Sequence, residues 1–277
     1  MTHARPRRSE FEIELKLLLD AVYMKYQHDF RHYSTASLRR RIEQAMERYR
    51  TPTLSELQSR VLREPELFSD MLQYFTVQVS EMFRDPSYFL ALRQKVVPML
   101  ATYPYVKVWV AGCSTGEEAW SMAIMLREEG LLERTLIYAT DINPRALATA
   151  QAGIYALDRV AQFSASYLKA GGKASLSHYY TAAYGNAIFD RTLKSQIVFS
   201  DHSLATDTVF SEVELVSCRN VMIYFDRELQ GRAIKLFHDA LAPRGFLGIG
   251  SKESLRFSPH VAAFEEYVPA ERIYRKR

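Results

Sequence analysis

The sequence has few cysteines, no long apolar run and no dinucleotide-binding glycine pattern, and each absence excludes a class of protein. Its 277 residues contain only Cys113 and Cys218, which form no CxxC or Cys/His cluster, so neither a zinc site nor a disulfide framework is expected. Both thiols should be reduced. The apolar runs at 106–112 and 136–139 are far shorter than the roughly 20 residues that a membrane helix needs, so we expect no membrane insertion.

The composition is that of an ordinary folded protein with a mild positive charge. Hydrophobic residues make up 48% of the chain and charged residues 25%, which excludes a disordered or collagen-like chain. A net charge of +4 is too small to indicate a nucleic-acid partner. Residues 1–10 carry three arginines without a following apolar stretch, so we expect no secretory signal and a cytoplasmic location.

The length allows two domains, and the N-terminal part is expected to be helical. Residues 11–76 show helical periodicity interrupted only by Pro52 and Pro65, which predicts an all-helical N-terminal domain over residues 1–76. Within residues 37–50 the apolar positions share one helical face, and one flank carries Arg40, Arg41 and Arg48. Such a flank is compatible with a solvated helix surface or with an acidic partner.

From residue 106 onward, short apolar strands alternate with helical segments, which is typical of a parallel α/β sheet with crossover helices. The predicted strands lie at 106–111, 136–140, 197–200, 213–217 and 246–249, and the predicted helices at 117–128, 144–151 and 227–241. The alternation stops between 153 and 196. Two apolar segments around Gly185-Asn186 predict a small antiparallel insertion there, either a docking surface or a loop that folds over the sheet edge.

The strongest local signal is the segment VWVAGCSTGEE at 108–118, which has the pattern of a strand, a turn and a helix. Open α/β sheets bind ligands at the carboxyl ends of their strands, and Gly112 and Gly116 would let the backbone approach a ligand there. The spacing is not GxGxxG, so a dinucleotide is not the favoured ligand and a dehydrogenase is disfavoured.

Acidic residues follow this turn and end the next strand. A carboxylate at a helix N-terminus repels phosphate and attracts ammonium, so Glu117 predicts a cofactor that carries an amino acid. Ser114 with Glu117, or Thr115 with Glu118, also fits a capping box; we assign Glu118 to capping and Glu117 to the ligand. Asp141 predicts a ribose contact, with an N-cap of the following helix as the alternative.

Four motifs occur in order: FRDP at 83–86, AGCSTGEE at 111–118, ATDI at 139–142 and CRNVMIYFD at 218–226. With these motifs the chain resembles the chemotaxis receptor methyltransferases of the CheR family from about residue 26 to the C-terminus. The resemblance implies the helical domain, a linker at 77–88 with the Phe-Arg motif, and a Rossmann-like S-adenosylmethionine-dependent methyltransferase domain at 89–277. It also implies a β-subdomain inserted around 172–192.

The resemblance further implies a set of site residues. Arg84 would pair with the methionyl carboxylate of S-adenosyl-L-methionine, Glu117 and Asp141 would hold its amino and ribose groups, and the Cys218-Arg219 segment would lie along it. Guanidinium groups suit carboxylates, and carboxylates suit ammonium or diol groups. The implied cofactor-binding set is Gln78, Ser80, Arg84, Gly112, Glu117, Asp141, Ser203, Leu204, Cys218 and Arg219.

The chain departs from the family pattern at three of these positions. It has Gln78 and Ser80 where the family often shows Asn-x-Thr, and Ser203-Leu204 where the family often shows Asn-Leu. All three replacements are polar and can still form hydrogen bonds. They also keep open a second interpretation, a non-catalytic module that retains the fold and regulates a partner by docking.

The reaction implied by the resemblance is methyl transfer to glutamate side chains of a chemoreceptor, which leaves S-adenosyl-L-homocysteine. A glutamate carboxylate is ionised at neutral pH, so no general base is needed. Arg219 and Tyr224 are the implied catalytic residues, which would orient the substrate carboxylate. Without the resemblance, Tyr224 would be taken as a core aromatic residue.

The implied partners are the methylation helices of a chemoreceptor. Arg40, Arg41 and Arg48 are the candidate contacts with those acidic helices. A receptor tail or a regulator could dock on the β-subdomain. An alternative keeps the methyltransferase but places its substrate outside chemotaxis.

Overall fold

The computed structural model describes residues 9–76, 78 and 80–277, which form two compact units. Of the described residues, one unit contains 9–76 together with 224–229, and the other contains 78, 80–223 and 230–277. Among the described residues, none of the helices combines the length and the apolar character required to cross a membrane.

Four helices make up most of the first unit, as the helical periodicity predicts. They are α1 (Glu10–Tyr26), α2 (Thr35–Tyr49), α3 (Leu54–Arg63) and α4 (Pro65–Phe75). Ser9 and Glu12 form a capping box at the start of α1. Pro65 occupies the first turn of α4, where a backbone N–H would have no partner within the helix. Helix α1 packs against α3, and α2 packs against α4.

Residues 224–229 join the helical unit through backbone pairing. Phe225 forms an antiparallel bridge with Tyr33, and the two ring centroids lie 5.0 Å apart. The Ser34 N–H donates to the Tyr224 carbonyl at 2.7 Å, and the Asp226 N–H donates to the carbonyl of residue 32 at 2.8 Å. Helical periodicity alone does not predict this pairing, because the partners lie almost 200 positions apart in the chain.

The second unit is built on a seven-stranded, mostly parallel sheet, which confirms the predicted α/β fold. Its strand order is β6-β2-β1-β7-β8-β10-β9, and β10 runs antiparallel to both of its neighbours. The strands of this unit are β1 (Val106–Ala111), β2 (Thr135–Asp141), β3 (Ile154–Ala156), β4 (Tyr180–Ala183), β5 (Asn186–Phe189), β6 (Ile197–Asp201), β7 (Val213–Cys218), β8 (Leu241–Ile249), β9 (Phe264–Val268) and β10 (Ile273–Lys276).

Crossover helices connect the parallel strands. Helix α5 (Pro86–Ala91) continues through a π-helical turn (Leu92–Val96) into α6 (Val97–Leu100). The side chains of residues 119–126 are all buried, so the middle of the helix after β1 is surrounded by protein on every face. The remaining helices are α7 (Glu117–Glu128), α8 (Pro144–Ala152), α9 (Leu157–Lys169), α10 (Arg191–Lys194) and α11 (Arg227–Ala240).

The antiparallel insertion is confirmed, with one more strand than the sequence predicts. Strands β3, β4 and β5 form a separate sheet in the order β3-β5-β4. Its hairpin turns at Tyr184 and Gly185, whose φ angles of 51° and 73° are those of a two-residue turn, one residue before the predicted Gly185-Asn186 turn. The sequence pattern also missed α9, β9 and β10.

Candidate active site

Two glycines shape the turn between β1 and α7. Gly112 has a φ of +73° and Gly116 a φ of +94°, values that residues with a side chain rarely adopt. A Cβ atom at residue 112 would lie 2.4 Å from Val221 Cγ2, and one at residue 116 would lie 2.6 Å from Ala150 Cβ. The turn therefore needs glycine for its own backbone and packing, a reason separate from the approach of a ligand.

Ser114 lies in this turn and joins it to two neighbouring segments. Its backbone N–H donates to Asp141 Oδ2 at 2.8 Å, and its hydroxyl donates to Gln78 Oε1 at 2.7 Å. The structure therefore brings Gln78 and Asp141, both predicted cofactor residues, to the same turn at the carboxyl ends of β1 and β2.

Asp141 ends β2 and is buried. Its Oδ1 accepts the Asn143 N–H at 3.0 Å. Burial raises the pKa of the Asp141 carboxyl, against the N–H groups of Asn143 and Ser114, which lower it. Each carboxylate oxygen has a second acceptor position, so Asp141 can still accept ribose hydroxyls. Asn143 is the N-cap of α8, so the alternative of Asp141 as that N-cap is wrong.

Glu117 begins α7 and is fully buried. Its Oε2 accepts a hydrogen bond from Thr115 Oγ1 at 2.7 Å. Arg159 Nη2 lies 2.7 Å from Oε1 but out of line for a hydrogen bond, so Oε1 has no hydrogen-bond donor among the described residues. Burial raises the pKa of Glu117, while Thr115 and Arg159 lower it. The site thus holds a buried carboxylate with an open acceptor position.

Glu118 has a role that differs from the predicted one. The N-cap of α7 is Gly116 and no side chain caps this helix, so both predicted capping boxes are wrong. The carboxylates turn to other partners instead. Glu118 Oε1 accepts a hydrogen bond from Ser217 Oγ at 2.6 Å, and Oε2 accepts one from Arg219 Nη1 at 3.2 Å. Glu118 therefore supports Arg219.

Arg219 follows β7, and its guanidinium is held on several sides. Its Nη2 donates to Asp85 Oδ2 at 2.7 Å and to the Arg84 carbonyl at 2.9 Å, and the Tyr88 ring centroid lies 4.2 Å from its Cζ. The side chain is 1% exposed, and Nε has no partner in the described part of the chain. Burial lowers the pKa of Arg219, but Glu118 and Asp85 raise it above its ordinary value, which keeps the charge.

Glu253 anchors the segment that follows Arg219. Its carboxylate is buried and accepts hydrogen bonds of 2.6 to 3.2 Å from four backbone N–H groups, those of Asn220, Val221, Ile223 and Gly250. Burial raises the pKa of Glu253, although these bonds lower it.

Cys218, a predicted cofactor residue, is fully buried. Both cysteines are free thiols, as predicted. Burial raises the pKa of each, so neither is suited to act as a thiolate.

Tyr224, the second predicted catalytic residue, lies in the helical unit beside Arg41. The Arg41 Cζ lies 4.7 Å from the centroid of the Tyr224 ring. Arg41 Nη1 donates to the Phe75 carbonyl at 3.1 Å, Nη2 donates to Ser37 Oγ, and the residue is 6% exposed. The prediction that Arg41 belongs to an exposed basic flank is therefore wrong, because the guanidinium satisfies buried acceptors of its own unit.

The other two arginines of that flank are exposed, as the solvated-surface interpretation requires. Arg48 Nε lies 3.8 Å from Asp70 Oδ2. The flank is reduced to Arg40 and Arg48.

Ser203 and Leu204 lie on the loop that follows β6. The Ser203 N–H donates to Asp207 Oδ2 at 2.9 Å, and Leu204 is buried. The N–H of the preceding residue, His202, reaches the Asp141 carbonyl at 3.4 Å. This loop therefore lies beside the end of β2.

Sequence reasoning missed the site roles of Asp85, Glu118, Arg159 and Glu253. Asp85 lies in the FRDP motif and Glu118 in the AGCSTGEE motif. A search of these motifs for acidic partners of Arg219 would have found both. Arg159 and Glu253 stand outside every motif. Only the fold brings Arg159 Nη2 to within 2.5 Å of the Ser80 carbonyl, across 79 positions of sequence.

Two family models match the chain in order along its length. Residues 13–76 match the CheR methyltransferase all-alpha domain, and residues 78–268 match the CheR methyltransferase SAM binding domain. The chain belongs to the CheR methyltransferase family. It is therefore a methyltransferase that depends on S-adenosylmethionine.

Relatives carry corresponding names. A Pseudomonas putida protein described as "Putative methyltransferase Cher3" is 57% identical over 96% of this chain and 97% of its own length. A chemotaxis protein methyltransferase of Listeria innocua is 28% identical over 82% of this chain and 84% of its own, and chemotaxis protein methyltransferase 2 of Pseudomonas aeruginosa is 27% identical over 80% and 79%.

Similarity to solved structures is weaker. A SAM-dependent methyltransferase from Geobacter sulfurreducens in complex with S-adenosyl-L-homocysteine shares 14% identity, with a TM-score of 0.34, over 59% of this chain and 47% of that one. A similarity at this level supports no argument about the site.

The residues around the glycine turn fit S-adenosylmethionine. Its ammonium needs a carboxylate acceptor, and Glu117 Oε1 is a buried oxygen without a donor among the described residues. Its ribose needs two acceptors, and each Asp141 oxygen, which accepts one backbone N–H, has the capacity for a second hydrogen bond. The donors and acceptors of this CheR protein thus match the charges of the cofactor.

Proposed function

We propose that this CheR family member transfers a methyl group from S-adenosylmethionine to glutamate side chains of a chemoreceptor or a chemoreceptor-like protein. The observation that carries the proposal is the Arg219 guanidinium, which Glu118 and Asp85 hold while Nε has no partner among the described residues. Because two carboxylates already neutralise this guanidinium, its contribution to an acceptor group is the Nε–H donor, which suits a carboxylate oxygen and not an ammonium, which has no lone pair to accept it. An acidic acceptor is therefore favoured over an amine.

The cofactor-holding roles in this proposal follow the charges of the site. Glu117 takes the amino group, Asp141 takes the ribose hydroxyls and Arg84 pairs with the methionyl carboxylate. Gln78 supports the turn through Ser114, and Ser80 adjoins Glu117 through Arg159. By resemblance to the family, Gly112, Ser203, Leu204, Cys218 and the backbone of Arg219 complete the proposed lining.

The chemistry asks the protein mainly for positioning. When bound, S-adenosylmethionine supplies a methyl group on a positively charged sulfur. The acceptor carboxylate is already ionised at neutral pH, so no residue has to remove a proton. Arg219 orients that carboxylate for in-line attack, and Tyr224 is the second orienting residue. Holding two reactants in line supplies roughly 7 to 11 kcal/mol of the barrier at best.

The proposed partner is the methylation region of a chemoreceptor. Two relatives are named chemotaxis protein methyltransferases, which supports a receptor substrate. Arg40 and Arg48 are exposed and remain candidates for contact with acidic receptor helices. The sheet of β3, β4 and β5 is the candidate surface for a receptor tail or a regulator.

Substitution of Arg219 tests the proposal. Arg219→Ala should lower methyl transfer to a receptor fragment by about a hundredfold or more, because a fixed orienting donor is lost. The affinity for S-adenosylmethionine, measured by calorimetry without receptor, should stay within about threefold, because the cofactor contacts assigned above lie on other side chains. Arg219→Lys keeps the charge without the planar fork and should retain part of the activity.

Two results would contradict this role. One is a cofactor affinity that falls in step with activity in both Arg219 variants while their thermal midpoints match the wild type. The other is unaltered methyl transfer by Arg219→Ala. Transfer of the labelled methyl group to a protein outside chemotaxis, with none to the receptor fragment, would keep the enzyme and replace its substrate.

A further inference from the structure

Arg159 lies in the first turn of α9, directly after the insertion strand β3. Its backbone N–H donates to Asp158 Oδ1 at 2.8 Å. Its guanidinium extends to two other segments, where Nη2 lies 2.7 Å from Glu117 Oε1 and donates to the Ser80 carbonyl at 2.5 Å. The residue thus connects the insertion with the turn after β1 and with the segment that precedes the Phe-Arg motif.

The two ends of this contact differ in exposure. Glu117 is fully buried, whereas the Arg159 side chain is 41% exposed. Only Nη2 has a hydrogen-bond acceptor among the described residues, and the guanidinium lies 5.8 Å from the Phe163 ring. Nη1 and Nε therefore keep N–H donors without an acceptor in the described part of the chain, on a side chain that is 41% exposed. A guanidinium with one anchored nitrogen and an accessible fork suits a carboxylate.

The position of this fork matches the amino acid part of the cofactor. An α-amino acid carries its ammonium and its carboxylate on one carbon. If Glu117 accepts the ammonium, the carboxylate therefore lies within reach of the cation next to Glu117, which is Arg159. Glu117 has the open oxygen for the ammonium. Arg159 touches Glu117, and through Ser80 it also touches the segment that leads to Arg84.

We propose that Arg159 is a further cofactor-binding residue, whose guanidinium fork contacts the methionyl carboxylate of S-adenosylmethionine while its Nη2 stays beside Glu117. The inference rests on the proposed role of Glu117 as the ammonium acceptor. It gives the insertion a direct part in cofactor binding, because Arg159 is separated from β3 by only two residues.

Two other roles for the same contact make different predictions. If Arg159 only kept Glu117 ionised, its loss would weaken every ligand that carries the ammonium. If Arg159 blocked Glu117 in the empty site, its loss would strengthen binding. Only a direct contact with the carboxylate makes the effect depend on that carboxylate.

Three ligands separate these roles in calorimetry on the purified full chain without receptor. They are S-adenosylmethionine, decarboxylated S-adenosylmethionine, which keeps the ammonium, and 5′-methylthioadenosine, which lacks both groups. Arg159→Ala and Arg159→Gln should weaken S-adenosylmethionine by about tenfold or more, since a charged hydrogen bond is lost. The other two ligands should change by less than about twofold. Arg159→Lys should restore part of the affinity.

Lys169→Ala is the matched control, because Lys169 is an exposed cation of the same helix. It should leave all three affinities unchanged. Unchanged or tighter binding of S-adenosylmethionine by the Arg159 variants would overturn the proposal, and so would an equal loss for the decarboxylated ligand. Failure of the wild-type protein to bind S-adenosylmethionine would instead overturn the cofactor site itself, and absence of methyl transfer with intact binding would affect only the proposed substrate.

Discussion

Buried carboxylates are the distinctive residues of this site. Glu117, Asp141 and Glu253 are all buried, and burial raises the pKa of each. A buried charge opposes folding unless partners compensate for the lost hydration. Asp141 and Glu253 are compensated by backbone N–H groups. Glu117 keeps one oxygen without a hydrogen-bond donor among the described residues, which is understandable if that oxygen serves a ligand.

Replacing Glu117 by glutamine should stabilise the empty protein and weaken cofactor binding. Folding raises the pKa of the Glu117 carboxyl, which means that the folded state binds this proton more tightly than the unfolded state. When pH rises above the ordinary pKa, ionisation of this carboxyl therefore lowers the free energy of unfolding. Glutamine does not ionise, so the variant does not lose this stability. At pH 7 we expect the thermal midpoint to rise by about 2–4 °C and the S-adenosylmethionine affinity to fall by about tenfold or more.

Thermal unfolding of the empty protein at pH 5 and pH 7 checks the first part, and calorimetry checks the second. The gain from glutamine should be larger at pH 7, where the wild-type carboxyl is more fully ionised. Glu133→Gln, at an exposed position, serves as the control and should change neither quantity. A lower midpoint for Glu117→Gln at both pH values would show that the carboxylate stabilises the fold.

Local patterns predicted part of the site at the residue scale. Gly112, Glu117 and Asp141 lie where a strand, a turn and a helix follow each other, so their proximity follows from the topology of parallel sheets. Arg159 and Glu253 were missed because their contacts join residues that are far apart in the sequence, and a local pattern does not predict such contacts. Arg41 was wrongly predicted to be exposed, because a helical projection does not show that its guanidinium donates to the Phe75 carbonyl of another helix.

At the scale of elements, the strands and helices with a strong period were predicted to within a few residues. Strand β1 and helix α7 match the predicted 106–111 and 117–128 in full. Helix α9 was missed because Gly153 before it and Gly171 after it gave the whole region the pattern of turns. Strands β9 and β10 were missed because they are short antiparallel strands, β9 at the sheet edge and β10 next to it, which lack the continuous apolar run of the central parallel strands.

Two anchors fix the CRNVMIYFD segment at its two ends. Glu253 holds the backbone of residues 220–223, and the pairing with residues 32–34 holds residues 224–226 within the helical unit. Arg41 packs on the ring of Tyr224 within that same unit. Arg41 is therefore a candidate positioning residue for Tyr224.

Arg41→Met should lower methyl transfer by about tenfold without changing S-adenosylmethionine affinity, because Arg41 would act through Tyr224. If so, the effect should be much smaller in a Tyr224→Phe background, where the oriented hydroxyl is already gone. Initial rates of the four proteins in this double-mutant cycle provide the measurement. Arg63→Met, at an exposed arginine of α3 in the same helical unit, is the control. Additive losses would separate Arg41 from Tyr224.

For the molecule as a whole, the net charge of +4 is modest, so recognition of an acidic receptor depends on where the exposed cations lie. The remaining exposed arginines of the α2 flank are Arg40 and Arg48. Exposed charges at the rim of an interface mainly raise the association rate, and salt screens them over about 8 Å at physiological ionic strength.

The double variant Arg40→Ala/Arg48→Ala should lower receptor methylation several-fold at low salt, with the deficit shrinking as salt increases. The affinity for S-adenosylmethionine should stay at the wild-type value. Steady-state rates against ionic strength test this, with Arg40→Lys/Arg48→Lys as the charge-preserving control. A deficit that is independent of salt, or no deficit, would remove this flank from the receptor contact.

Mass spectrometry of a receptor cytoplasmic fragment, after incubation with the protein and isotopically labelled S-adenosylmethionine, tests whether the protein methylates glutamate. We expect labelled methyl groups on glutamate side chains, and mild alkali should release them as it releases esters. Alkali-stable methyl groups on nitrogen, or an unlabelled fragment beside a protein that binds the cofactor, would contradict this expectation.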